Sequence, residues 1–175
     1  MIATLTGDPS SCSQLGGDLR SRAATLRTTL EALVAARAEG PGAAGGRRLP
    51  PGRLARLDQD QRLLHALVDR LDGAGAALQR YAQELAEQAE ELRRLDADVD
   101  RAGLTLDGLQ VVEPWGVATT DTASERRVEL PALAARAERL ASRVGRSRGA
   151  LRRTLTESSG VLSRAAAETR AALGR

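Results

Sequence analysis

The sequence predicts an all-α fold: an elongated antiparallel three-helix bundle or coiled coil, with a small β-hairpin in the connector of residues 103–124. Three observations lead there. Of 175 residues, 32 are Ala, 27 Leu and 26 Arg, and Phe is absent while Trp and Tyr occur once each. Such a chain is rich in helix formers and lacks the bulky residues of a sheet or a thick core. Leu57, Leu64, Leu71, Leu78, Leu85, Leu92 and Val99 recur at every seventh position, the repeat that keeps one apolar seam along a long helix. Helix breakers gather at Gly40–Gly46, at Pro50-Pro51 and from Gly103 onward, so the chain divides into three helical stretches within one domain of residues 1–175.

The first helix is expected over residues 9–38. Asp8 is placed to accept from free backbone amides, and Pro9 loses no hydrogen bond at the first helical position. Its apolar stripe reads Cys12, Leu15, Leu19, Ala23, Leu26, Leu30 and Leu33, and Gly16-Gly17 marks a close helix contact. A loop follows at 39–51.

The second helix, 52–102, adds Leu67, Ala74, Tyr81, Leu95 and Ala102 as the second row of its heptad. Gly73 and Gly75 are points at which it can bend, and Gly103 is placed to end it as a left-handed cap. In the connector, Leu104–Leu106 and Leu109–Val112 read as two short strands about an Asp107-Gly108 turn. The third helix is expected over 123–173, from a capping box at Thr122–Glu125, with Pro131 either kinking it or marking its first turn. Its stripe of Leu133, Ala137, Leu140, Val144, Leu151, Leu155, Leu162 and Leu173 drifts with a period nearer 3.6 than 3.5. Gly145, Gly149 and Gly160 are its weak points.

All 26 basic residues are Arg, and the net charge is +3. By segment the charge is +4 over residues 1–56, −9 over 57–125 and +8 over 126–175. An acidic middle between basic flanks is built to neutralise itself. Glu84, Glu91 and Asp98 flank the seam of the second helix, and Arg136 and Arg143 flank that of the third. The preferred antiparallel register sets Glu84 against Arg143 and Glu91 against Arg136. Exposed pairs of this kind contribute about 0–1 kcal/mol each, so the leucines supply stability and the charges choose the register.

No catalytic constellation emerges, and the chain is read as no enzyme. One His and one Cys build neither a zinc site nor an intrachain disulfide, so no metal and no cofactor is expected. His65 with Asp69 one turn later is a solvated pair on a helix surface, since a general base needs a pocket and a substrate. Cys12 is expected to be buried as a small hydrophobe. Trp115, in Val111-Val-Glu-Pro-Trp-Gly-Val117, either covers the end of a narrow bundle or anchors a partner. Candidate partner-interface residues are Trp115, Val112, Pro114, Tyr81, Leu67 and Leu95. Arg146, Arg148, Arg152 and Arg153 are candidate anion contacts and carry the alternative reading, an Arg-rich helical nucleic-acid-binding protein; the aromatics that interleave basic residues in single-strand binders are missing. A basic zipper factor is excluded by Gly45-Gly-Arg-Arg-Leu-Pro-Pro-Gly52, which cannot form the continuous basic helix that such a factor needs. The N-terminus lacks a Sec signal, and no run approaches the length of a membrane span. A cytoplasmic location, or export by a route that reads no such signal, is the corresponding expectation.

Gly7-Asp-Pro-Ser-Ser-Cys-Ser-Gln-Leu-Gly-Gly-Asp-Leu-Arg20, an Ala/Leu/Arg helix and loop, and then Leu78-Gln-Arg-Tyr-Ala-Gln-Glu-Leu-Ala86 resemble the WXG-type helical hairpins of actinobacterial type VII secretion substrates. The likeness covers about residues 5–102 and lacks the family's Trp-x-Gly turn, since residues 40–48 contain no Trp. It implies a non-catalytic helical hairpin that acts by pairing with another helical protein or with itself, and export without a Sec signal. No small-molecule substrate is expected.

Overall fold

The computed structural model describes residues 7–38, 51–114 and 120–173. They form three helices and a two-stranded antiparallel sheet: α1 (Pro9–Ala38), α2 (Pro51–Arg101), β1 (Thr105–Asp107), β2 (Gln110–Val112) and α3 (Thr120–Leu173). The helices account for nearly all of the described chain, as the composition requires. α3 starts three residues before the expected point and runs through Pro131. Gly73, Gly75, Gly145, Gly149 and Gly160 all lie inside continuous helix.

Contacts divide the chain into two units, one of Met1–Cys12 with Arg80–Leu151 and one of Ser13–Gln79 with Arg152–Arg175. In the first unit the C-terminal half of α2 lies antiparallel to α3. The core there is Leu92, Leu95, Val99, Leu104, Leu106, Ala137, Leu140 and Val144, with Leu109, Val111, Leu130 and Leu133 packed against it. Arg136 Nη1 donates to Asp98 Oδ2 at 2.6 Å, and Arg143 donates to Glu91.

This register differs from the expected one by a full heptad: Glu91 faces Arg143 instead of Arg136, and Asp98 takes Arg136. The charges alone could not separate the two, because each offers two acid–Arg pairs. The connector does. α3 extends beyond the end of α2, and its Leu130 and Leu133 are covered there by Leu104, Leu106, Leu109 and Val111 of the hairpin.

The hairpin itself sits where the sequence places it, with the turn moved by one residue. Asp107 pairs with Gln110, Leu106 with Val111 and Thr105 with Val112, so Gly108-Leu109 is the turn rather than Asp107-Gly108. Gly108 carries φ +61°, a conformation that glycine adopts without steric penalty. A one-residue slip exchanges the two faces of a strand. The observed pairing directs buried Leu106 and half-buried Val111 to the core and leaves Thr105, Asp107, Gln110 and Val112 exposed.

α2 ends as expected. Gly103 has φ +67°, its N–H donates to Asp100 O at 3.0 Å, and Leu104 N–H donates to Val99 O at 2.9 Å. These two bonds, with the buried Val99–Leu104 contact, make a Schellman cap. Gly103→Ala is expected to destabilise the first unit by about 1–2 kcal/mol, the penalty of a left-handed Cβ; the shift in the urea midpoint measures it.

In the second unit α1 runs antiparallel to the N-terminal half of α2. Arg20 Nε donates to Asp72 Oδ1 at 3.2 Å and its Nη1 to Gln79 Oε1 at 3.0 Å, while Arg37 pairs with Asp58. The buried residues of α1 are Gly16, Ala23 and Leu30, spaced by seven. This corrects the expected stripe, since Leu15 is 52% and Leu33 43% exposed. Gly16 brings the two backbones so close that a Cβ built there would lie 2.7 Å from the Gly75 carbonyl oxygen.

α3 likewise keeps the seven-residue rhythm in place of the expected drift. Ala137, Val144, Ser158 and Ala165 are buried, and Leu151 in the same series is half-buried. Ser158 and Ala165 belong to the stripe although neither is a large apolar residue, which is why a count of leucines suggested a different period.

Two carboxylates are held below the usual Asp range. Asp98 is lowered first by the hydrogen bond from Arg136 and then by that from Arg101. Asp8 is lowered by the Ser11 hydroxyl and by the Ser11 and Ser10 amides, which cap α1 as the sequence predicts. A depressed folded-state pKa contributes stability that is complete above the unfolded-state pKa and is lost as pH falls through the folded one. The urea midpoint is therefore expected to fall when pH drops from neutral to below the ordinary Asp range, and to fall less in Asp98→Asn than in the parent.

Candidate functional site

The first row of the α2 seam is covered unevenly. Leu78, Leu85, Leu92 and Val99 are buried, whereas Leu57, Leu64 and Leu71 are half-buried. No side chain from Gly52 to Leu67 is buried, and in the same unit none is buried from Glu31 to Ala38 of α1 or from Ala166 to Ala171 of α3. Beyond those points the second unit carries apolar residues without a core: Leu33, Val34 at 39% exposure and Leu54 at 38%. The Arg37–Asp58 pair holds the last turns of α1 to the first turns of α2. A groove of about 750 Å³ opens there between α2 and the end of α3, with Leu63, Leu64, Leu67, Ala55 and Ala171 in its walls and Arg56, Asp60 and Glu168 at its edge.

A second cleft, of about 360 Å³, lies in the first unit. Glu84, Glu87 and Glu91 stand on its α2 side and Arg143 and Arg146 on its α3 side, with Gln88 and Ser147 between them. Gln88 is 6% exposed. Its Nε2 donates to Ser147 Oγ at 3.1 Å, and its buried Oε1 has no hydrogen-bond partner among the described residues.

The expected interface residues fall in different environments. Leu67 lines the apolar groove, and Val112 is 38% exposed on the hairpin with half-buried Pro114 beyond it. Tyr81 and Leu95, at 8% and 0% exposure, are interior. They complete the seam of α2 and offer a partner no surface, which corrects their assignment. Trp115 lies outside the described residues. Cys12 is half-buried, against the expected full burial. His65 and Asp69 are both exposed, and His65 lines neither cleft.

Arg146, Arg148, Arg152 and Arg153 are all exposed. At about 100° per residue, Arg146 and Arg153 share one side of α3, and Arg148 and Arg152 share another about 100° or more away. The four do not form a single phosphate-binding stripe.

Gln88 is the residue that sequence reasoning missed. It occupies the heptad seat filled by Leu67, Ala74, Tyr81, Leu95 and Ala102, and a search for apolar repeats passes over the polar member between Tyr81 and Leu95. The break in that row was the available signal.

Among the described residues no helix is long and apolar enough to cross a membrane, and no cluster of His, Cys, Asp and Glu could hold a metal ion. Comparison with protein-family models, with curated proteins and with solved structures finds no match.

Proposed function

We propose that this chain is a non-enzymatic helical interaction module that pairs with the helices of another protein or of a second copy of itself. The observation that carries the reading is the uncovered apolar end of the second unit. There Leu33, Val34 and Leu54 are exposed and Leu63, Leu64 and Leu67 line an open groove. Exposed apolar side chains beside a groove edged by charge favour burial against a partner, and an amphipathic helix is a common occupant of such a groove. In its finer form the proposal is a three-helix bundle or coiled coil whose incomplete seam is finished by the partner, in a WXG-like module associated with type VII secretion. The resemblance of residues 5–102 to that family supports this form.

Sedimentation velocity of the purified protein, alone and mixed with helical proteins encoded beside it, tests the reading. A concentration-dependent dimer or a heteromeric complex is expected, weakened by Leu54→Glu with Leu64→Glu. A strict monomer that captures none of those proteins would remove it. Retention on DNA that falls steeply between low and moderate salt would favour the nucleic-acid alternative instead.

A further inference from the structure

The Gln88–Ser147 pair lies at the floor of the cleft between α2 and α3, with Gln88 buried and Ser147 half-buried. In α3, Leu133, Leu140 and Ser147 follow one another at seven-residue intervals, so Ser147 follows two leucines in its row, as Gln88 stands between Tyr81 and Leu95 in α2. Each helix therefore has one polar residue at this point of its row, and the two meet at 3.1 Å. Gln88 is 6% exposed and leaves Oε1 unpartnered, which no sequence optimised for stability alone would retain.

The one-heptad slip shows what the pair discriminates. Moving α3 by seven residues to set Glu84 against Arg143 and Glu91 against Arg136 keeps two acid–Arg pairs and adds only Asp98 opposite exposed Glu129. The same slip carries Gln88 level with Leu140 and Ser147 level with the ring of Tyr81. The two polar groups would then lose their mutual bond, and Gln88, the more buried of them, would face a leucine. Charges on the flanks are nearly blind to this slip, whereas the Gln88–Ser147 pair is not.

We infer that Gln88 and Ser147 form a register selector: a polar pair with one buried member, itself imperfectly satisfied, whose role is to penalise the neighbouring heptad alignment of α2 and α3. A single polar residue in an apolar seam fixes alignment in this way in coiled coils, at the expense of stability.

The test uses the full chain with Cys12→Ser, Arg80→Cys and Arg139→Cys, spin-labelled at these two exposed positions, which are staggered along the helix axes. Pulsed electron resonance is expected to report one distance in this background. Adding Gln88→Leu with Ser147→Ala should raise the melting temperature and produce a second population, in which the labels are closer by up to about 10 Å, the rise of seven residues. The exchanged pair, Gln88→Ser with Ser147→Gln, should restore a single unshifted distance. One unshifted distance in the apolar variant would overturn the inference, because the layer would then be a tolerated defect. Loss of helix in that variant, followed by circular dichroism, would overturn it equally, because removal of a selector costs uniqueness and not folding.

Discussion

Leu95→Ala is expected to destabilise the first unit by about 3–5 kcal/mol, in the upper part of the range for buried Leu truncation. Leu95 is 0% exposed, and its cluster includes Leu92, Val99, Leu104, Leu106 and Leu140. The loss has two parts, the transfer of the removed methyl groups and the void left behind, and the second depends on whether the surroundings can collapse. Here they are held apart. The Glu91–Arg143 and Asp98–Arg136 pairs strap α2 to α3 on either side of Leu95, and the Schellman cap fixes the end of α2 just beyond. Urea unfolding followed by circular dichroism gives the total change, and amide exchange over residues 92–106 assigns it to this unit. Leu33→Ala, at a site 43% exposed, should change stability by no more than about 0.5 kcal/mol. Equal losses at the two sites would contradict the assigned core.

Gly75→Ala is expected to destabilise the second unit by about 1–3 kcal/mol, the usual penalty of overpacking, whereas Gly73→Ala two residues away should stabilise it by about 0.5–1 kcal/mol. The sign reverses because of tertiary surroundings alone. A Cβ on Gly75 would lie 2.6 Å from the Gly16 carbonyl oxygen and 2.6 Å from Arg20 Cγ, with the Arg20 amide nitrogen at 3.2 Å, while one on Gly73 meets nothing within 4 Å. Two of the three atoms facing Gly75 are backbone and cannot turn away, so α1 must move off α2 and take the Arg20 bonds to Asp72 and Gln79 with it. At Gly73 only the higher helix propensity of Ala remains. Paired thermal melts read the contrast directly, and a stabilised Gly75→Ala would remove the close crossing.

Local rules were enough for the existence of the three helices and for two of their ends, but not for the start of α3, which lies at Thr120 instead of residue 123. Asp8-Pro9 and Gly103 act through groups within a few residues, so the N-cap of α1 and the C-cap of α2 are legible in the sequence. The hairpin was legible to within a residue. Its turn moved because the pairing that buries Leu106 and Val111 together outweighs the preference for Asp-Gly in the turn. The period of α3 was misjudged because Ser158 and Ala165 share the buried row although one is polar and the other small. Tyr81 and Leu95 were read as surface because an amphipathic stripe does not say which of its members the chain itself will cover. The polar layer was hidden in the same way: Gln88 looks like any surface glutamine until its heptad seat is compared with those around it.

By itself the sequence determined that this protein has three long helices and one small hairpin, since composition, caps and a seven-residue apolar repeat act over one or two turns; the expected loop of residues 39–51 lies, but for Pro51, outside the described residues. Only the tertiary structure decided which heptad of α3 meets which heptad of α2, which glycine is a crossing point and which leucines stay uncovered. The physical reason is that a repeating seam is degenerate: every shift by seven restores the same leucines and much of the same charge. The choice therefore falls to the non-repeating parts, the hairpin that covers the overhang of α3, the Gly16–Gly75 contact and the Gln88–Ser147 pair.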